Sequence, residues 1–495
     1  MSTTIAMSTQ DVHARAFAEP FAMLIDGALC GAEDGATFAT VNPSTEAALA
    51  DVPLAGREQV ARAVDAAQRA SAAWRGASLP ERIAAVTRTI EILREHAEEL
   101  SYLDALDGGL VLAEARKDVA LAGAWIGYML GAAMEVKGHT LPFADRGWLL
   151  TKREPYGVVA RIGAFNHPLL FTAGKIAAPL LMGNAVIVKT PEQAPLSSLL
   201  FGRLVRDVFP PGVLQILSGD GPTTGDALVR HPRVKRIALI GSVETAMRIQ
   251  RSAAETAVKH VTLELGGKNA MIVFPDADLD RAVEGATSST NMQQSAGQSC
   301  GSITRLFLHE SVHDAFVERL AARVAQIAVG DPLAPGTQMG PLVSEAQYRR
   351  VLGYIDAGRS EGASVVTGGV APAWREKGFF VEPTVFGGVT PAMRIAREEI
   401  FGPVLSVLRW SDREAMLAQA NAVELGLTGS VWTRDLATAM ECADALDSGY
   451  VWVNGAARHF IGAPFGGHKN SGVDVEESIE ELYSYTQSKT ISLCA

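Results

Sequence analysis

Two textures of hydrophobic and polar positions divide the chain. Up to about residue 136 the apolar positions follow helical spacing. An Ala-rich helix is predicted over 56–74, and a second begins near Pro80, a favourable first-turn residue. Its apolar positions Ile83, Val86, Ile90, Leu93 and Leu100 are separated by Arg and Glu, and more helix follows over 113–136. Then the period changes. Residues 148–153, after Leu141-Pro142, alternate as an exposed strand, and from Gly157 short apolar runs alternate with helical segments. Strands are predicted at 157–162, 185–189, 213–217, 236–240 and 260–263. Short apolar strands separated by helices predict a parallel sheet covered on both faces. Further α/β texture follows, with helices at 312–328 and 345–361 and strands at 364–366, 429–432 and 450–453. A turn-rich loop covers 454–472, and an alternating strand at 483–493 needs an edge to pair with.

Two strand ends are rich in glycine. Gly219-Asp220-Gly221-Pro222-Thr223-Thr224-Gly225 and Gly241-Ser242 each lead into a helix, where backbone N–H groups and a helix N-terminus can approach a phosphate. The spacing in the first is one residue longer than the usual dinucleotide fingerprint, and most glycine pairs at strand ends are only tight turns, so these loops alone do not establish nucleotide binding.

Composition narrows the picture. The chain has 495 residues, 48% of them hydrophobic, enough for two or three domains, and its net charge of −11 argues against nucleic-acid binding. No apolar leader core and no uninterrupted membrane span are read, so neither secretion nor a membrane partner is expected. The four cysteines (Cys30, Cys300, Cys442, Cys494) show no metal-ligand spacing; a reduced, cytoplasmic protein without a metal is expected. Residues 1–20 read as a flexible lead.

Cys300 stands out by its neighbours, Gly297-Gln298-Ser299-Cys300-Gly301-Ser302, which are too small to wall in a thiol. A lone cysteine is ordinarily a buried hydrophobe, so its chemistry depends on what else the chain supplies. Four other segments align with it. They are Leu263-Glu264-Leu265-Gly266-Gly267-Lys268-Asn269, Phe165-Asn166-His167-Pro168, Val188-Lys189-Thr190-Pro191-Glu192 and Glu398-Glu399-Ile400-Phe401-Gly402-Pro403-Val404, with Pro464-Phe465-Gly466-Gly467 following late in the chain. In this order and spacing they resemble the aldehyde dehydrogenase superfamily, from about residue 25 to the end.

The resemblance implies a fold and a chemistry. The fold is α/β: a Rossmann-like dinucleotide-binding domain (21–136 and 157–264), an α/β catalytic domain (265–460) and a small β oligomerisation arm (137–156 and 478–495). The arm implies a homodimer or homotetramer. Cys300 attacks a small-molecule aldehyde as thiolate, giving a thiohemiacetal and then a thioester. Asn166 supplies an oxyanion donor, Glu264 the general base for hydrolysis, and Lys175 with Glu476 a proton relay. Lys189 and Glu192 hold the adenosine ribose, and the Glu192 carboxylate favours NAD over NADP. Gly221, Gly225, Gly241, Ser242 and Thr245 border the adenine and pyrophosphate, with Ile162 and Leu265 nearby. Glu399 and Phe401 hold the nicotinamide end.

Departures from the family pattern concern the substrate. Gly174 stands where a bulky aromatic is frequent, Gln294 replaces a frequent aromatic, and His167 and the small Ala456 and Ala457 are also unusual. They imply a wide, polar tunnel lined by Trp125, His167, Leu170, Phe171, Gly174, Gln294, Ser299, Gly301, Arg458, His459 and Phe460. The expected aldehyde is bulky, aromatic or polar, with any anionic group met by Arg458, His459 or His167; solvated loop positions for Arg458 and His459 are the competing reading. An NADP-dependent or CoA-acylating semialdehyde dehydrogenase is the alternative function.

Overall fold

The computed structural model describes residues 8–141 and 147–494. Residues 1–7, Pro142 with the rest of 142–146, and Ala495 lie outside the described residues, although the expected lead and arm include them. The rest of the lead is not a loose segment. Ser8 caps a helix, Thr9–Ala16, whose Val12 and Ala16 are buried.

The helical region follows its pattern, with one break. Gly56 precedes the helix Arg57–Gly76. Ser78 and Glu81 close a reciprocal capping box on Leu79–Glu95, with Pro80 in its first turn. The expected run to Leu100 ends at His96, and a separate helix, Ala97–Gly108, follows. Every residue from Glu99 to Gly108 is buried. A helix buried on all sides has no polar stripe, which is why periodicity missed the break.

The first sheet contains the five expected strands in parallel, Leu214–Leu217, Ala185–Lys189, Val158–Ile162, Val234–Ile240 and His260–Glu264 in spatial order. Antiparallel additions, Met23–Ile25 with Ala28–Cys30 and Gly472–Val473, extend its two edges. Strand order reverses beside Val158–Ile162, making this a Rossmann-like sheet, and ligands of such sheets bind beyond the strand C-termini. Asn166, Glu192, Gly221, Ser242 and Glu264 all follow or end these strands.

The second sheet is again mainly parallel. Its order is Ser364–Thr367, Thr384–Gly387, Val404–Trp410, Ile303–His309, Asn269–Val273, Thr428–Trp432 and Tyr450–Val453. Its three central strands were not predicted. They are covered on both faces, so no polar–apolar alternation marks them, and polar Arg305 and Ser406 are buried within them. Each large sheet has its own core, one drawing mainly on residues up to Leu265 and the other on residues from Ala270 to Leu446.

A third, antiparallel sheet pairs Thr486–Cys494 with Gly147–Pro155 and adds Thr140–Leu141. Its terminal strand starts later than expected, because Tyr483 belongs to the helix Ile479–Ser484. Among the described residues no helix is long and apolar enough to cross a membrane.

Candidate active site

Between the two large sheets lies a cleft of about 1440 Å³. Cys300, Glu264 and Asn166 line it together with Ile162, Lys189, Glu192, Gly221, Gly225, Gly241, Ser242, Thr245, Glu399 and Phe401. Leu265, directly after Glu264, is buried and donates its N–H to the Ser471 carbonyl.

The Cys300 loop is held by backbone contacts. Gly297 has φ +73°, and any side chain there would strike the Gly402 carbonyl. Asn269 donates from Nδ2 to the carbonyls of Cys300 (2.7 Å) and Ser302 (2.8 Å), and Thr428 Oγ1 reaches the Gly301 carbonyl at 3.3 Å. Asn269 closes the Gly266-Gly267-Lys268-Asn269 run, yet no role was expected for it. Its structural one is to hold the Cys300 loop.

Cys300 keeps some exposure toward the cleft. Burial nonetheless pushes its thiol well above its ordinary value, and the neighbouring Glu264 charge adds to this. Glu264 shares a side-chain hydrogen bond with Cys300, while its Oε1 has no partner. Burial, then the charge of Glu476, raises the Glu264 carboxyl to about 8. A carboxylate that titrates near neutrality beside a thiol suits proton transfer.

Lys175 and Glu476 line no part of the cleft. They meet behind it as a buried ion pair, Nζ to Oε2 at 3.0 Å. Arg161 binds the other Glu476 oxygen at 3.0 Å and contacts Tyr485 Oη, and Glu481 lies 3.6 Å from Lys175. Burial alone would raise Glu476; Arg161 and Lys175 outweigh it and hold the carboxyl at about 2. Arg161, Glu481 and Tyr485 were not anticipated, since their charges meet only when the C-terminal helix packs under the first sheet.

The cofactor candidates fit an adenine dinucleotide. Lys189 is buried at its strand end, with Nζ 3.1 Å from the Thr190 carbonyl, and burial lowers its amine to about 8. Glu192 is exposed one turn later. The Gly221–Gly225 segment makes a wide turn, closed by the Gly225 N–H on the Asp220 carbonyl at 3.0 Å. Ser242 caps the helix Val243–Ala254 by accepting from the Thr245 N–H at 3.2 Å. At the other end Glu399 accepts from the Gly267 N–H at 3.0 Å, burial raises its carboxyl to about 7, and any Cβ on Gly266 would strike it. Phe401 packs edge-on against Phe165, centroids 5.7 Å apart.

The expected tunnel lining is altered in three places. Gly174 does not leave an opening: a Cβ there would lie 2.9 Å from Trp125 Cε3, so the Trp125 indole already fills the space. The same ring carries Lys175 Nζ 4.3 Å from its centroid. His167 is buried, with Nδ1 2.6 Å from Asp118 Oδ2 and its ring against Phe171. Burial would lower its imidazole, but Asp118 outweighs that and raises it. Arg458 is exposed, stacked over the exposed Phe460 at 5.0 Å. Leu170 is buried in the turn Leu170–Gly174. Gln294 is part-buried, Ser299 is part-buried next to Cys300 in the chain, and His459 Nε2 faces Gly301.

Comparisons with known proteins agree with this arrangement. The sequence model of the Aldehyde dehydrogenase family matches residues 31–491. The aldehyde dehydrogenase tropH of Talaromyces stipitatus is 44% identical over 463 residues, 92% of this chain and 89% of its own. The hydroxyisobutyraldehyde dehydrogenase of Mycolicibacterium austroafricanum is 41% identical over 477 residues, 96% and 94% of the two chains. The NAD+ complex of an aldehyde dehydrogenase from Bacillus cereus superposes with a TM-score of 0.95 at 37% identity, covering 99% of this chain and all of the other. Sequence and fold match along nearly the whole length, and the chain therefore belongs to the aldehyde dehydrogenase family, NAD(P)-dependent oxidoreductases that act on small-molecule aldehydes.

Proposed function

We propose that this chain oxidises an aldehyde to its carboxylic acid with NAD, through a Cys300 thioester that Glu264 helps water to hydrolyse. The observation that carries this reading is the single cleft that Cys300, Glu264 and Asn166 share with Lys189 and Glu192.

The Cys300 thiol loses its proton toward Glu264, its hydrogen-bond partner, as sulfur attacks the carbonyl carbon. The oxygen becomes negative, and the Asn166 amide with the Cys300 N–H is assigned to hold it. NAD, which Lys189, Glu192 and Glu399 would hold, would supply the acceptor for the hydride that leaves the carbon. Glu264 then takes a proton from the water that attacks the thioester. The charges of Glu476 and Lys175 act on Glu264 and set how readily it gives that proton up. Glu192 supports NAD because its exposed carboxylate can accept from ribose hydroxyls and repels a 2′-phosphate. The expected aldehyde is polar rather than anionic. Asp118 already engages His167, and Arg458 is turned toward Phe460 at the surface.

The third sheet supports assembly into a dimer or tetramer, since it leaves Trp148, Leu141 and Leu493 exposed. NADH formation tests the reading. Aldehyde-dependent turnover without coenzyme A is expected with NAD, and Cys300→Ala should abolish it. Turnover that needs coenzyme A, or that survives Cys300→Ala, overturns it.

A further inference from the structure

The loop after Tyr450–Val453 places a histidine–carboxylate pair near the Cys300 loop, joined to the Lys175–Glu476 network through Glu481. His459 Nδ1 lies 3.2 Å from Glu477 Oε2. A carboxylate accepts, so Nδ1 carries the proton and the Nε2 lone pair points away from Glu477. It points toward the Cys300 loop: a Cβ built on Gly301 would be 4.0 Å from His459 Nε2 and 4.0 Å from Ser299 Oγ. With the Cα–Cα step of about 3.8 Å, Nε2 comes within roughly 9 Å of the Cys300 Cα. An aldehyde carbon on the sulfur plus one or two further carbons spans that gap.

The pair is built firmly. Glu477 is buried and sits at φ +66°, a region that non-glycine residues enter when their surroundings force it. Its N–H donates to Glu481 Oε2 at 2.8 Å and its carbonyl accepts from the Gly462 N–H at 3.0 Å. The imidazole packs on Phe465 with centroids 4.3 Å apart, and Tyr450 lies parallel to it at 6.2 Å. Its side chain is still 31% exposed, so Nε2 remains free to meet a ligand. The charges nearby select the ligand. The Glu477 carboxylate, 3.2 Å from the ring, opposes an anionic substituent there. A neutral imidazole nitrogen accepts hydrogen bonds, so it suits a neutral O–H donor.

We propose that His459, oriented by Glu477, is a specificity-determining residue that accepts a hydrogen bond from a hydroxyl one or two carbons from the aldehyde carbonyl. This rests on the aldehyde-oxidising reading above and names its substrate class. Glu477 is the positioning residue, acting through His459.

The test compares 2-hydroxypropanal with propanal, and 3-hydroxybutanal with butanal, on the wild type and on His459→Phe. The expected result is a loss in kcat/KM of about 10- to 100-fold for the hydroxylated member of the affected pair, carried mainly by KM. The deoxy partner should change less than about threefold. Glu477→Gln keeps an acceptor for Nδ1–H and should retain more of the preference than Glu477→Leu. Equal losses for both members, or no loss for either, overturn the proposal. A second readout needs neither cofactor nor turnover: the dissociation constants of the same four aldehydes for Cys300→Ala, with and without His459→Phe, should show the same selective loss. If the wild type oxidises the deoxy aldehydes in preference, this inference alone fails. If it oxidises none of the four, the aldehyde-oxidising reading fails for this class, and the dissociation constants decide the role of His459.

Discussion

Lys175 Nζ sits 3.0 Å from Glu476 Oε2, and the two side chains are only 3% and 5% exposed. Each charge is out of water and depends on the other, with Arg161 and Glu481 completing the cluster. Removing one partner leaves a buried charge uncompensated, at a cost of about 3–5 kcal/mol. Glu476→Gln should lose stability on that scale in chemical denaturation, Lys175→Met less because Arg161 still pairs with Glu476, and the double substitution less than their sum. The pH dependence has a definite sign. The Glu476 carboxyl is depressed to about 2 in the fold, from an ordinary 4.5. Its stabilisation is therefore present above pH 4.5 and lost as the pH falls toward 2. Acid titration of Glu476→Gln should lack that component.

The carboxyl of Glu264, raised to about 8, predicts a pH profile. Water activation requires the ionised form, so kcat should rise through pH 8 and level off above it when hydrolysis limits turnover. Glu264→Gln should lower kcat by about 10²–10⁴ and remove that limb. Glu476→Gln withdraws a negative neighbour, so the inflection should move to lower pH. Steady-state rates from pH 6 to 10 check all three.

Gly174 and Trp125 share one volume. Gly174→Phe should force the indole aside and cost about 1–3 kcal/mol through overpacking. Combining it with Trp125→Ala should recover part of that loss, read as the thermal midpoint of the single and double variants. Full additivity would mean that the two positions do not compete for space.

Glu192 is exposed, with the buried Lys189 behind it. Glu192→Ala removes one like charge from a 2′-phosphate. The NADP-to-NAD ratio of kcat/KM should rise about tenfold, the scale of a single partly screened charge contact. The measurement is a pair of cofactor titrations at fixed aldehyde.

Much of this architecture was legible along the chain. The five parallel strands of the first sheet were readable because each is a short apolar run between helices, and four of them fall within one residue of the predicted bounds at either end. Val234–Ile240 likewise differs only at its start. Asn269–Val273, Ile303–His309 and Val404–Trp410 were not readable, since buried runs carry no period. Glu264 and Cys300 were identified from motifs that depend on neighbours in the chain. Asn269 sat inside such a motif, but its bonds to Cys300 and Ser302 cross between strands and have no local sign.

The amino-acid sequence by itself determined the alternation of elements, the glycine turns at strand ends and the residue types that the chemistry needs. Those depend on backbone preference, hydrophobic period and motif order, all of which are local. Tertiary packing decided which charges neutralise one another and which space stays open. Trp125 fills the room beside Gly174, Asp118 engages His167, and Glu477 turns His459 toward the Cys300 loop. Each of these depends on contacts between residues 18 to 49 positions apart, where shape and burial, rather than spacing along the chain, set the outcome.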